Sequence, residues 1–447
     1  MEQRTPALFE LNRPLRDKQP DEEPYKAQLE DLQGNILKSH GRGAAVHLFL
    51  TFRKGQEDPA KQFLREFAEK LTSAAKQRKQ AQTYRDTRQP GEPFAFLCLS
   101  ASGYEYLGFK TDAFKSDKSD AFKNGMGRAN LGDPPEREWE PKFQRPLHAM
   151  LILADDRVEK LTELVSELQD KLKHFAQVGI EFGLTMRNAD ENPIEHFGYA
   201  DGVSQPIFFE NDLKQTTDQW DPLAGPSLVL VPDPYGGSPT ACGTYFVFRK
   251  LEQNVREFKA REDKLADKLK LTDPDHERAG AMVVGRFEDG TPLTAHSIPR
   301  ARKEPENDFN YREDVAGNRC PVSAHIRITN PRTNAERGRR IARRGIAYGD
   351  PTPPGEDKET LPKGGVGLLF QCCQADVREQ FEYLQRLAND AADPIIGQSA
   401  VHALRDLEFP KVYNKPERGR FGFHGFVKMK GGEYFFVPAI SFFKSLK

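Results

Sequence analysis

Three residues have the side chains to do chemistry together: Asp201 in Gly198-Tyr199-Ala200-Asp201-Gly202, His325 in Ala324-His325-Ile326-Arg327, and Arg343 in Arg340-Ile341-Ala342-Arg343-Arg344-Gly345. A neutral imidazole ligates haem iron and keeps one ring nitrogen for an outer hydrogen bond. A carboxylate moves protons, and a guanidinium, always charged, stabilises negative charge as it develops. On one iron, such a set would move the proton of a bound peroxide and support cleavage of its O–O bond. Each residue also has a plainer reading. Asp-Gly is a common turn pair, His325 is one of ten histidines, and Arg340 and Arg344 compete with Arg343.

The elements that must position these residues read as alternating strands and helices. Residues 45–52, 94–100, 147–154 and 178–186 are apolar and β-rich, and 58–78 is a charged amphipathic helix. Val158, Leu161, Val165, Leu168 and Leu172 recur at spacings of three and four, the mark of one helix face packed on a core. Strand–helix–strand–strand–helix–strand is the ferredoxin-like order. The second half partly repeats it, with a strand over 243–249, a charged helix over 251–269, a strand over 366–372 and a helix over 377–387. Residues 423–429 and 433–437 read as a hairpin around Lys430-Gly431-Gly432. The expected fold is therefore α+β, with two ferredoxin-like halves, antiparallel sheets and peripheral helices. The expected organisation is an extended N-terminal arm over 1–28, a first domain over 29–215 that carries the Asp201 segment, and a second over 216–447. Segments 112–145 and 271–320, polar and rich in Gly and Pro, are expected to be loop insertions.

Composition narrows the function classes. The chain is 37% hydrophobic and 30% charged with a net charge of −1, which suits a globular protein and gives no overall basic surface for nucleic acid. The basic run Arg337-Gly338-Arg339-Arg340 reads as a solvated face. Five cysteines, Cys98, Cys242, Cys320, Cys372 and Cys373, form no regular framework. No Cys-x-x-Cys-His occurs, so a haem would be held without covalent attachment. Met1-Glu2-Gln3-Arg4-Thr5-Pro6 has no signal-like apolar run, and no stretch of roughly 18 apolar residues exists for a membrane span. A cytoplasmic location without membrane contact is expected.

The ordered set of motifs resembles the dye-decolorizing peroxidase family. It comprises Gly198-x-x-Asp201-Gly202, His325, Arg343 ahead of Gly345-Ile346-Ala347-Tyr348-Gly349, and several flanking segments. Those are Leu32-Gln33-Gly34-Asn35-Ile36-Leu37-Lys38, Gly367-Leu368-Leu369-Phe370, Asp393-Pro394-Ile395-Ile396-Gly397 and Gly431-Gly432-Glu433-Tyr434-Phe435-Phe436-Val437-Pro438. GxxDG alone is weak; the set spans most of the chain in family order.

The resemblance implies a non-covalent haem b, one per chain, mainly against the C-terminal half. It implies reduction of hydrogen peroxide through a ferryl intermediate, and one-electron oxidation of phenolic or dye-like aromatic donors. His325 becomes the iron ligand, Asp201 the proton shuttle and Arg343 the charge-stabilising group. Gly202 lets the backbone approach the haem. Asp393 is expected either to accept the free N–H of His325 or to N-cap a helix before Pro394. Leu369 and Phe370 would close the pocket or simply pack the core. Arg327, or else Arg332, would pair with a propionate. His196 is expected to be structural, and Arg344 to be a salt-bridged or structural residue. Trp139, Trp220 and twelve tyrosines could pass electrons to bulky donors, and one sequence does not choose among them. Haem storage, delivery or iron release is the alternative, and a non-haem scaffold a third reading. Ser445-Leu446-Lys447 is too short and basic to be a packaging tail, and the oligomeric state is open.

Overall fold

The computed structural model describes residues 6–117, 119–214, 217–302, 304–351, 358–397 and 405–447. In the first half, strand β1 (Ala44–Phe52) leads into helices Glu57–Ala68 and Ala74–Thr87. Then come β2 (Phe94–Ser100), β3 (Ala149–Asp155), helix Val158–Leu172 and β4 (Ala176–Leu184). The strands pair antiparallel in the order β2-β3-β1-β4. The single helix expected over 58–78 is two helices. Between them Thr72 leaves the helical path to bond β2: its N–H donates to Ala95 O at 2.9 Å, and its hydroxyl accepts from Ala95 N at 3.1 Å. Ser73 then caps the second helix by accepting from Lys76 N. Leu161, Val165, Leu168 and Leu172 are buried as the periodicity required, whereas Val158 stays exposed.

The second half repeats the plan with β5 (Cys242–Gln253), helix Val255–Leu269, β6 (Ile346–Tyr348), β7 (Gly367–Gln374), a helical run of Val377–Glu382 and Tyr383–Asp390, and β8 (Val427–Val437). Its order is β8-β5-β7-β6, all antiparallel. Two expectations are corrected here. β5 runs on through Leu251, and the helix starts only after Asn254, whose side chain accepts from Glu257 N. The hairpin around Gly431-Gly432 is one continuous strand with a bulge between Met429 and Gly431. At Gly431 (φ 149°) a Cβ would lie 2.3 Å from the Phe143 ring, so the glycine serves close packing rather than a turn.

The free edges of the two sheets meet. β8 pairs with β2 through Phe435↔Ser100 and Phe436↔Leu99, and β6 pairs with β4 through Tyr348↔Gly183. Eight strands therefore close into a barrel, which leaves neither half with an open edge at these joins. Alternation sorts the side chains into an inner and an outer set. Phe49 and Phe248 meet inside with ring centroids 4.7 Å apart, and Gln371 and His47 bond there at 2.7 Å. Burial pushes the pKa of His47 down to about 4, so it is neutral near pH 7.

The stretch expected as an arm ends in helix Tyr25–Asp31. Leu8, Leu11 and Leu15 are buried, and Leu15 exchanges backbone bonds with Phe208 and Glu210. Among its described residues, segment 112–145 has short helical turns such as Ala121–Asn124 and no strand. Segment 271–320 contains a buried helix, Arg278–Val284, so it is not loop throughout. All five cysteines are buried and unpaired. Among the described residues no helix is long and apolar enough to cross a membrane.

Candidate active site

A cavity lies against the outer face of the second-half sheet. Arg249, Leu251 and Gln253 of β5, Leu368 and Phe370 of β7, and Val427 of β8 form one wall. Phe381, Leu384 and Gln385 of the helical run after β7 form another. The rest comes from the 195–206 segment and from the short helix His325–Thr329. Asp201, His325 and Arg343, far apart in sequence, all line this space.

His325 is fixed through one nitrogen. Its Nδ1 lies 2.9 Å from Asp393 Oδ2 and 3.2 Å from Oδ1. The Asp393 side chain is fully buried. Its Oδ1 also accepts from Ile395 N at 2.8 Å and Ile396 N at 3.0 Å. Asp393 thus meets the histidine and closes a turn over Pro394–Ile396; the helix N-cap that the sequence also suggested is not formed over the described residues 394–397. A carboxylate at Nδ1 holds the proton there and leaves the Nε2 lone pair directed elsewhere. Nε2 makes no hydrogen bond among the described residues.

Asp201 and Arg343 form a pair. Arg343 Nη1 donates to Asp201 Oδ1 at 3.1 Å, and both side chains are about one-third exposed, 34% and 27%. Arg343 is positioned by strand pairing with Cys372 and by its backbone N–H, which donates to Gln205 Oε1 at 3.0 Å. Its Nη2 donates to Ser204 O. A second, larger cavity opens on the other side of the pair and shares Asp201, Gln205, Arg343 and Leu368 with the first. Acid and guanidinium thus stand where small molecules would pass between the two.

Not every expected residue reaches the cavity. Leu369 faces the barrel core, fully buried, while its neighbours Leu368 and Phe370 face the cavity, because side chains alternate along a strand. Arg327 is turned away. Its guanidinium donates to Asp314 Oδ2 (3.1 Å), Asp314 O and Cys320 O and lies over the Tyr311 ring. Arg332 lines the cavity instead. Gly202, with φ 75°, lies on the larger cavity, and its N–H donates to Asp201 Oδ1 at 2.6 Å. His196 is buried and bonds Tyr348 O at 2.8 Å, a structural role. Among the described residues Arg344 makes no salt bridge: buried, it donates to Asn35 O, Ile36 O and Arg343 O, which ties the Leu32–Lys38 segment to the barrel.

The sequence offered no spacing signal for Glu195, Arg249, Arg286 or Trp220, all of which line the cavity. Glu195 accepts from Phe197 N, Tyr199 N and Gln253 Nε2, yet burial pushes its pKa up to about 7. Arg286, Arg332 and Arg340 donate only to neutral oxygens: Gly290 O and Glu306 O, Asn307 and Phe309 O, and Pro222 O and Leu223 O, respectively. Burial lowers their pKa values to about 10, 9 and 10. Three guanidiniums without an ion-pair partner among the described residues thus surround an otherwise largely apolar space.

Residues 197–398 match the model of the Dyp-type peroxidase C-terminal region. The multifunctional dye peroxidase DyP2 of Amycolatopsis sp. is 40% identical over 455 residues, covering 94% of this chain and 96% of that one. The chain belongs to the Dyp-type peroxidase family. Its fold matches the solved structure of Amycolatopsis DyP2 with a TM-score of 0.91 at 38% identity, over 99% of this chain and 100% of that one. It matches the Anabaena sp. DyP-type peroxidase with a TM-score of 0.88 at 40% identity, over 95% of each chain. This peroxidase is therefore an enzyme of a haem-using family that takes hydrogen peroxide and a reducing substrate.

The cavity suits that group on its own terms. An apolar slot accepts a porphyrin face, His325 offers an Nε2 with no hydrogen bond among the described residues, and guanidiniums bonded there only to neutral oxygens suit two carboxylates.

Proposed function

We propose that this peroxidase holds one non-covalent haem b per chain in the cavity against β5 and β7, and uses hydrogen peroxide to oxidise phenolic or dye-like aromatic donors one electron at a time. The observation that carries the reading is the pairing of two features on one cavity. His325 is held through Nδ1 by a buried carboxylate, and the Asp201–Arg343 pair lines the same space. His325 Nε2 is the iron ligand, and Asp393 makes the imidazole more electron-rich. Arg332, not Arg327, receives a propionate. When bound, the haem supplies the redox chemistry, storing the oxidising equivalents taken from peroxide.

Asp201 takes the proton from the near oxygen of peroxide and returns it to the far oxygen, which leaves as water. Arg343 stays protonated and stabilises negative charge as that bond breaks. Leu368 and Phe370 limit water around the pair. The division into a unit over 29–215 and a haem-binding unit over 216–447 belongs to this reading and is supported by the two four-stranded halves.

The test is an absorption spectrum of the haem-supplemented protein, followed by one equivalent of peroxide. A histidine-type Soret band that changes on mixing and returns when a phenol is added is the expected result. A Soret band indifferent to peroxide would mean haem handling, and no Soret band would remove both haem readings.

A further inference from the structure

The passage between the haem cavity and the larger cavity carries few polar side chains. Asp201, Arg343, Gln205 and Trp220 line both spaces, among apolar neighbours such as Leu368. Asp201 and Arg343 have their work in the peroxidase reading; Gln205 does not. Its one hydrogen bond among the described residues is accepted by Oε1 from the Arg343 N–H at 3.0 Å. That bond fixes the orientation of the amide. A backbone N–H needs an acceptor, and the flipped amide would set its NH₂ against another donor. Pro206 disfavours helical backbone at Gln205, so the root of the side chain is restricted as well. Gln205 is half-buried, and its Nε2 carries two N–H donors that bond nothing among the described residues.

The neighbouring groups leave work for such a donor. Arg343 Nη1 donates to Asp201 Oδ1 and Nη2 to Ser204 O, so each terminal nitrogen has one N–H committed. Asp201, when ionised, only accepts, and its Oδ1 also takes the Gly202 N–H. A peroxide oxygen that gathers negative charge needs donors that are already in place. Packing alone would be served there by an apolar side chain, as it is at Leu368. A carboxamide whose oxygen is pinned and whose NH₂ is idle suits a second function, a neutral donor set at the point where small molecules meet the acid and the guanidinium.

We propose that Gln205 is a third catalytic residue of the peroxide reaction: its NH₂ group donates to the far oxygen of peroxide and holds the O–O bond in place while Asp201 moves the proton. The inference rests on the peroxidase reading above. Asp201 takes the proton from the near oxygen and passes it to the far one. The O–O bond breaks, the far oxygen leaves as water, and the two electrons it takes come from the haem. The Gln205 hydrogens stay on nitrogen throughout. They support the charge on the far oxygen until the proton arrives.

The test uses the haem-loaded full chain as wild type, Gln205→Leu and Gln205→Glu. Leucine removes both the donor and the acceptor of the Arg343 N–H. Glutamate keeps the acceptor and the shape, and when ionised it has no hydrogen to donate. Near neutral pH both variants should slow the peroxide-induced spectral change by roughly 10–100-fold, the scale of one hydrogen bond to a charged group. Fluoride on the resting iron accepts from the same donor. Its affinity, read by absorbance, should fall in both variants, with a shift of the iron–fluoride stretch in resonance Raman. Relative to wild type at each pH, Gln205→Glu should recover as its carboxyl group protonates, around an ordinary value of ~4.3, because the acid form donates again. Gln205→Leu should not recover. Slowing in Gln205→Leu alone would make Gln205 a support for Arg343 and overturn the donor role. Slowing in Gln205→Glu alone would be an effect of charge and overturn it too, as would an iron–fluoride stretch unchanged in both variants. These outcomes leave the peroxidase reading standing, because the wild type still responds to peroxide. A wild-type haem spectrum indifferent to peroxide removes both.

Discussion

Asp393→Asn tests whether the carboxylate behind His325 sets its tautomer. Asp393 Oδ1 already accepts from the amides of Ile395 and Ile396, while Oδ2 takes the shorter contact to His325 Nδ1, 2.9 Å. If the asparagine oxygen stays on the two amides, its NH₂ faces Nδ1 and must donate. The imidazole then carries its proton on Nε2 and has no lone pair for iron. If the amide flips, its NH₂ faces two N–H donors. Either arrangement removes one charge-assisted hydrogen bond, about 1.5–3 kcal/mol. That corresponds to roughly 10–100-fold in haem affinity, the usual scale for a partner of a metal-bound histidine. The assay is a haem titration by the Soret band, with haem transfer to a scavenging protein for the off-rate and the iron–imidazole stretch by resonance Raman. Circular dichroism of the haem-free variant checks the fold. Wild-type affinity together with an unchanged iron–imidazole stretch would refute the reasoning.

His325→Ala is expected to lose its haem or hold it with an altered spin state, and added imidazole should restore the spectrum; a normal histidine spectrum without imidazole would place the ligand elsewhere. Asp201→Asn and Arg343→Leu should each slow the peroxide-induced spectral change in stopped flow by ~10²–10³-fold, and wild-type rates in both would remove the pair from peroxide cleavage. Arg332→Leu should weaken haem binding, whereas Arg327→Leu should lower the melting temperature, because it leaves the buried Asp314 carboxylate unpaired, a loss of about 3 kcal/mol or more. Glu195 binds its proton more tightly folded, about 7, than unfolded, 4.5. Stability from this group is therefore present in acid and falls as pH rises from 4.5 to 7. Denaturant midpoints of Glu195→Gln should lose that fall relative to wild type, and parallel curves for the two proteins would contradict it.

Local pattern carried the strand and helix order of the first half. Periods of two and of three to four are written along the chain, and each element buries its own apolar face, as Leu161, Val165, Leu168 and Leu172 do. The motif set also marked Asp201, His325, Arg343 and Asp393, because those residue types sit in short segments with a family order. What lay between segments was not legible. Whether Gly431-Gly432 turns or bulges depends on Phe143, almost three hundred residues earlier. Whether Leu369 or its neighbours face the cavity depends on the register of β7 against β5, since a one-residue shift exchanges the faces. Arg327 was the nearer arginine to His325 in sequence, but a buried Asp314 captures it, and Arg332 lines the cavity. Closure of the barrel joins edges that no local sequence signal links, and the Arg343–Asp201 contact spans 142 residues of chain. The chemistry of each side chain was therefore determined by the sequence alone. Which side chains share a space was decided by tertiary packing, because long-range contacts are selected by the whole core and not by any one segment.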